Sequence, residues 1–212
     1  MNIDVERDAL IVVDLQPDFM PGGALAVGEG DVIAAPIGAL ARRFSTVVAT
    51  QDFHPRGHIS FASSHAGRKP FEVISLYGQE QTLWPDHCVQ GTAGASLHPA
   101  LPDETVSLIL RKGTNPKVDS YSALRENFGP DGARGSTGLG GWLKARGIAR
   151  VFVCGLARDF CVKWTAIDAA AEGLEVKLLD DLTRAVVPTN RAATDAEYDR
   201  AGVVRMASTE LR

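Results

Sequence analysis

The sequence predicts an α/β fold built on a mostly parallel sheet, and three observations carry that expectation. Short continuous apolar runs, such as Ala9-Leu10-Ile11-Val12-Val13, read as strands buried on both faces, as in a parallel sheet. Helix-like stretches in the C-terminal third each stop at a glycine and lead into an aliphatic run, the alternation that αβ units produce. The 212 residues, 45% of them hydrophobic, suit a single domain over residues 1–212 whose core needs no disulfide or metal staple.

In chain order, the first strand is expected at 9–13, a helix at 29–43 and a second strand at 46–50. Residues 54–103 read as a long irregular stretch, followed by a strand at 105–110 and a second irregular stretch at 113–136. Loops that long are uncommon inside a compact domain and usually serve function. A helix at 137–146 then stops at Gly147 before a strand at 151–154. Another at 160–172 stops at Gly173 before 174–179, and a last one at 189–201 stops at Gly202 before 203–204. Glycine just past a helix adopts a left-handed backbone that other residues resist, so it marks the stop. The count is six strands.

Composition narrows the function. The 22 basic and 26 acidic side chains give a formal charge of −4, which is no footprint for nucleic acid. No apolar run approaches the ~18 residues of a membrane span, and the acidic N-terminus does not read as a signal peptide. Cys88, Cys154 and Cys161 are too few and too odd for a disulfide framework. The expectation is a cytoplasmic enzyme or small-molecule binder without nucleic-acid or membrane partners. Oligomeric state is left open, a homo-oligomer included.

Ligands of open parallel sheets bind beyond the carboxyl ends of the strands, so the residues following each strand matter most. Asp14 follows the first strand and Gln51-Asp52-Phe53-His54 the second. Arg111-Lys112-Gly113 and Gly155-Leu156-Ala157-Arg158-Asp159-Phe160-Cys161 follow two others. A lone free cysteine is most often inert packing, the reading kept for Cys88 and Cys154. Cys161 differs: with Asp159 as N-cap it falls in the first turn of a helix, where free N–H groups and a nearby cation lower a thiol pKa. Those N–H groups also suit an oxyanion. Asp14 can take the thiol proton and a cation can hold both charges, although spacing does not choose between Arg111 and Lys112. Asp52, His54, His58 and His87 offer carboxylate and imidazole donors that suit zinc, manganese or iron. Phe19, Trp84 and Tyr121 can wall a pocket for a flat ring.

These motifs resemble one family. Asp14-Leu15-Gln16-Pro17-Asp18-Phe19 with Gly22-Gly23-Ala24-Leu25 is similar to the opening motif of the nicotinamidases, members of the isochorismatase-like cysteine hydrolases. Thr50-Gln51-Asp52-Phe53-His54-Pro55 with His58 and Ser60-Phe61, and Trp84-Pro85-Asp86-His87-Cys88-Val89, resemble their metal motifs. Arg111-Lys112-Gly113 and Gly155–Val162 resemble the lysine and cysteine motifs. The likeness spans about residues 9–207 and is weakest at 63–80 and 113–136. It implies a three-layer αβα fold with a six-stranded sheet, and a triad of Asp14, Lys112 and Cys161. It implies a divalent transition metal, zinc before iron or manganese, on Asp52, His54 and His87, with His58 as fourth ligand or bound through water. It implies an oxyanion hole of the Ala157 and Cys161 N–H groups beside a cis Leu156–Ala157 bond, and substrate contacts from Phe19, Trp84, Tyr121 and Leu156. The activity implied is hydrolysis of nicotinamide to nicotinate and ammonia through a thioester, with pyrazinamide as a second substrate, in NAD salvage. The rivals are a carbamoyl or ureido amidase of the same superfamily, which resembles the triad but generally lacks the Asp-x-His motif, and a non-catalytic metal or redox sensor.

Overall fold

The computed structural model describes residues 1–212 and contains ten strands and four α-helices. In chain order these are β1 (Asp8–Val13), α1 (Ala34–Ala41), β2 (Val47–Asp52), β3 (Val73–Leu76), β4 (Gln79–Thr82), β5 (Leu108–Lys112), β6 (Arg125–Phe128), β7 (Arg134–Ser136), α2 (Leu139–Ala145), β8 (Arg150–Leu156), α3 (Cys161–Ala171), β9 (Glu175–Arg184), α4 (Arg191–Arg200) and β10 (Val204–Met206). Six strands form one sheet in the order β10-β9-β8-β1-β2-β5, with every pairing parallel. Apolar side chains on its two faces feed two core clusters. One gathers Leu10, Val12, Phe152 and α1, and the other gathers Ile11, Val13, Val153, α2 and α3. That is the three-layer arrangement, and each fully buried leucine, isoleucine or valine in it contributes roughly 1.5–3 kcal/mol.

β1 and β2 are buried at every residue, around the apolar runs Ala9–Val13 and Val47–Ala49. The chain leaves β1 toward β2 and β5 on one side and returns on the other as β8, β9 and β10. The strand order therefore reverses between β1 and β8. Such a switch point opens a crevice beyond the carboxyl ends of the strands, and Asp14 and Cys161 flank it. Gly155 lies in β8 at this position with φ +110, and a Cβ there would collide with the carbonyl of Val13. Only glycine lets the two strands approach so closely.

Several expectations need correction. The stretches at 54–103 and 113–136 are not wholly irregular, because each carries an antiparallel hairpin, β3–β4 and β6–β7. β4 is Gln-Glu-Gln-Thr and half exposed, so no apolar pattern betrayed it; the left-handed pair Tyr77 and Gly78 turns the chain. The first helix begins at Ala34 rather than 29, since Glu29 takes a positive φ that a helix does not admit. β5 runs two residues further than expected and places Arg111 and Lys112 inside the strand. No helix is long and apolar enough to cross a membrane.

Candidate active site

Strand register brings the polar residues together. Asp52 and Lys112 are paired across β2 and β5, which puts the Lys112 ammonium 2.6 Å from Asp52 Oδ1. The same ammonium lies 2.8 Å from Asp14 Oδ2 and 3.5 Å from the sulfur of Cys161, and it donates to the Ser120 carbonyl at 3.1 Å. Thr50 donates its hydroxyl to Asp14 Oδ1 at 2.6 Å and accepts the Asp14 N–H at 3.0 Å. Gln16 spans the backbone of Asp52, accepting its N–H at 2.8 Å and donating to its carbonyl at 2.9 Å. The strand alternation settles the choice that spacing left open. Lys112 points inward and is buried, while Arg111 points outward over the Phe53 ring.

The charges of this cluster are set by burial and by one another. Burial opposes the Lys112 charge, but the carboxylates of Asp14 and Asp52 outweigh it and push its pKa well up. Burial would also raise Asp52, yet Lys112 and His54 hold its carboxyl well below the usual range. Asp14 ends above its ordinary value because burial and the neighbouring Asp52 together exceed the pull of Lys112. Burial pushes the Cys161 thiol well up, and Lys112 pulls it down. The expected lowering of the Cys161 pKa is therefore corrected in direction: enclosure prevails over the cation.

A second correction concerns the helix start. Asp159 does not cap α3, whose N-cap is Phe160 without a side-chain bond. The Asp159 carboxylate instead accepts the N–H groups of Val186 and Val187 at 2.9 and 2.8 Å. Cys161 still begins the helix. Neither its N–H nor that of Ala157 has a partner, and both residues line the pocket. The bond between Leu156 and Ala157 is cis.

Beside the thiol, His54 Nε2 and His87 Nε2 lie 3.2 and 3.3 Å from Asp52 Oδ2. The other nitrogen of each ring faces a backbone carbonyl, Gly113 for His54 at 3.0 Å and Pro85 for His87 at 2.8 Å. Such bonds fix the rings and leave Nε2 free for a metal. Tetrahedral zinc with bonds of ~2.0–2.1 Å separates its ligands by roughly 3.3 Å; the two separations from Asp52 match it, and all three donors lie within 4.8 Å of one another. His58 packs beside His54, with ring centroids 4.3 Å apart, and with His54 and Asp119 makes a second group of donors within 4.8 Å of one another. Its Nδ1 meets the Ser60 hydroxyl at 2.8 Å, and its Nε2 meets the carbonyls of Asn115 and Val118 at 2.9 and 3.3 Å. Both His58 nitrogens thus meet protein partners.

Phe19, Trp84 and Tyr121 all line the pocket, joined by Phe160, Leu25, Val186 and Asp119, which the sequence had not singled out. Trp84 donates Nε1–H to the Tyr121 hydroxyl at 3.1 Å, and its ring meets Phe160 edge-on at 4.8 Å. Leu156 is corrected: it is fully buried in the core and does not line the pocket. Thr50, Gln16 and Asp119 left no signal, because threonine in a strand and polar residues in a loop are unremarkable singly.

A parallel αβα sheet whose switch point holds a cysteine, a lysine and an aspartate defines a class of cysteine hydrolase. The Isochorismatase domain matches residues 8–210, and the chain belongs to that family. Within it, the chain is 52% identical over 178 residues to the nicotinamidase of Acinetobacter baylyi, covering 84% of this chain and 81% of that one. Its fold superposes on the nicotinamidase/pyrazinamidase structure from Acinetobacter baumanii with a TM-score of 0.91 at 46% identity, over 97% of this chain and 98% of the other. The L. infantum PnC1 structure, in complex with nicotinate, gives 0.86 at 42% identity over 100% and 98%. The pyrazinamidase of Pyrococcus horikoshii in complex with zinc gives 0.76 at 36% over 95% and 99%.

Proposed function

We propose that this chain, acting as one domain, is a nicotinamidase that converts nicotinamide to nicotinate and ammonia and also hydrolyses pyrazinamide, serving NAD salvage in the cytoplasm. The observation that carries the mechanism is the Lys112 ammonium, within 3.5 Å of both the Asp14 carboxylate and the Cys161 sulfur.

The aromatic walls hold the ring and present its carboxamide to Cys161. With enclosure pushing the thiol pKa up, Asp14 takes the proton as the sulfur bonds the amide carbon. The carbonyl π pair moves onto oxygen, where the unpartnered N–H groups of Ala157 and Cys161 receive the charge. Lys112 balances the negative charge throughout. Collapse of the intermediate breaks the C–N bond, and Asp14 returns its proton to departing ammonia. Asp14 next takes a proton from water, whose oxygen bonds the thioester carbon; nicotinate leaves and the sulfur recovers the proton. Asp52, His54 and His87 would hold one divalent transition metal, zinc by their donor set. When bound it supplies a Lewis acid at the pocket wall, of the kind a pyridine nitrogen ligates.

The test is ammonia release from nicotinamide by the wild type and by Cys161→Ala, with and without chelator. The proposal expects turnover only with Cys161 and a marked rise of KM on chelation. Retention of more than a trace of activity by Cys161→Ala refutes the nucleophile, and an unchanged KM refutes the metal's place at the ring.

A further inference from the structure

We propose that Arg158 and Tyr198 are positioning residues that set the oxyanion hole from behind, with α4 as the strut that holds them. The inference rests on the nicotinamidase reading above and extends it to a part of the chain with no contact to substrate.

Both hole donors belong to the segment Ala157–Cys161, which runs from the end of β8 to the first residue of α3. Arg158, with its backbone and its guanidinium, and the Asp159 carboxylate are pinned to β9, α4 and the chain that follows β9. The Arg158 N–H donates to the Arg184 carbonyl at 2.8 Å, and the Arg158 carbonyl accepts the Tyr198 hydroxyl at 2.6 Å. The Arg158 guanidinium donates Nε and Nη2 to Asp180 Oδ1 on β9, at 2.9 and 2.7 Å, and Nη2 to Asp195 Oδ1 on α4 at 2.6 Å. Asp159 holds the Val186 and Val187 N–H groups, and the Ala157 carbonyl takes the N–H groups of Phe160 and Val162 at 3.0 and 3.1 Å. The N–H groups of Ala157 and Cys161, both pocket-lining residues, are left unbonded, as is that of Asp159.

The composition of α4 supports this assignment. It buries only Thr194 and Tyr198 of its ten residues, so apolar packing alone is a thin reason for the helix. Tyr198 is fully enclosed although its hydroxyl has a single protein partner, the Arg158 carbonyl. The two carboxylates around Arg158 carry further cations, Arg191 on Asp180 and Arg205 on Asp195. They would not be orphaned by loss of Arg158, which makes substitution there a clean probe. An oxyanion hole works through donors fixed before charge develops, and an error of about 1 Å in such a group costs on the order of 100-fold in rate. Removing a hole donor outright costs about 100- to 1000-fold. Loosening the strut should fall below that.

The experiment uses Arg158→Met, Arg158→Lys and Tyr198→Phe in the full chain, with kcat and KM on nicotinamide and the affinities of nicotinate and nicotinaldehyde. Nicotinate binds without nucleophilic addition. Nicotinaldehyde accepts the Cys161 sulfur at its carbonyl carbon, and the π pair moves onto oxygen in the hole. Expected for Arg158→Met is a kcat lowered about 10- to 100-fold, KM and nicotinate affinity within about threefold of wild type, and nicotinaldehyde affinity lowered as much as kcat. Arg158→Lys should recover part of the loss, and Tyr198→Phe, which removes one oxygen, should show the same split at about 3- to 10-fold. Wild-type kcat in both Arg158→Met and Tyr198→Phe overturns the proposal. So does a loss of nicotinate and nicotinaldehyde affinity in parallel, which marks general damage. Wild-type turnover, measured alongside, tests the nicotinamidase reading separately, since the strut is judged only on ratios of variant to wild type.

Discussion

Lys112→Met is the sharpest test of the buried charge cluster. The substitution keeps an unbranched side chain one atom shorter and removes an ammonium that sits 2.8 Å from Asp14 and 2.6 Å from Asp52 with almost no exposure. At an effective dielectric of about 20, each of those attractions is worth roughly 6 kcal/mol. The cost of burying the ammonium, several kcal/mol, is recovered when it is removed, so the net loss is smaller than the sum. Breaking one partner out of a buried ionic group costs about 3–5 kcal/mol, a large share of the ~5–15 kcal/mol that stabilises a domain. The variant also leaves two buried carboxylates facing each other, and one of them takes up a proton. Its native pKa then lies above the unfolded value, so the native state binds more protons and stability rises as pH falls. Urea unfolding of wild type and variant, both in chelator at pH 8 and pH 5, should show a deficit of about 3–5 kcal/mol at pH 8 that narrows at pH 5. Adding Asp14→Asn should restore part of the stability and none of the ammonia release. A variant as stable as wild type at pH 8, or a deficit that widens at pH 5, refutes the reasoning.

Metal content should separate the histidines. His54→Ala and His87→Ala should lose bound metal on dialysis, whereas His58→Ala should keep it at one equivalent by elemental analysis and be destabilised by about 1–3 kcal/mol, because two buried carbonyls lose their donor. Gly113→Ala should both strain the chain and displace a metal donor. Its φ is +64 and the new methyl would strike the His54 ring, so metal affinity by competition with a chelator should fall about 10- to 100-fold. Asp180 supplies a pH dependence of the opposite sign to Lys112→Met. Burial would raise it, but bonds from Arg158 and Arg191 hold its carboxyl below the ordinary 3.8. The native state therefore binds fewer protons than the unfolded chain. Its contribution is complete above 3.8 and disappears as pH falls through the lower native value. Asp180→Asn should lower the melting temperature at pH 7 and converge with wild type toward pH 2.

How much of this was legible beforehand depends on how local the signal was. The runs at 9–13, 46–50 and 151–154 announced strands because burial on both faces demands unbroken apolar sequence. The three glycine stops announced helix ends because a positive φ is a property of one residue. Asp14, Asp52, Lys112 and Cys161 were readable as strand-end residues, and the rule for parallel sheets assigned them to one edge. Their resemblance to a known set of motifs then supplied the roles.

Tertiary structure alone decided the rest, because those features depend on partners far along the chain. That Lys112 rather than Arg111 faces inward follows from the register of β5 on β2. Asp159 sits near where an N-cap belongs, yet it bonds backbone 27 and 28 residues later, since the chain leaving β9 brings the Val186 and Val187 N–H groups to it. His58 has the spacing of a ligand, but two carbonyls from the 115–118 segment already hold its ring. The Cys161 thiol has a cation beside it and a helix behind it, and still enclosure pushes its pKa up. Local sequence carries conformational preference and periodicity; desolvation and the competition among hydrogen-bond partners exist only once the chain has closed around them.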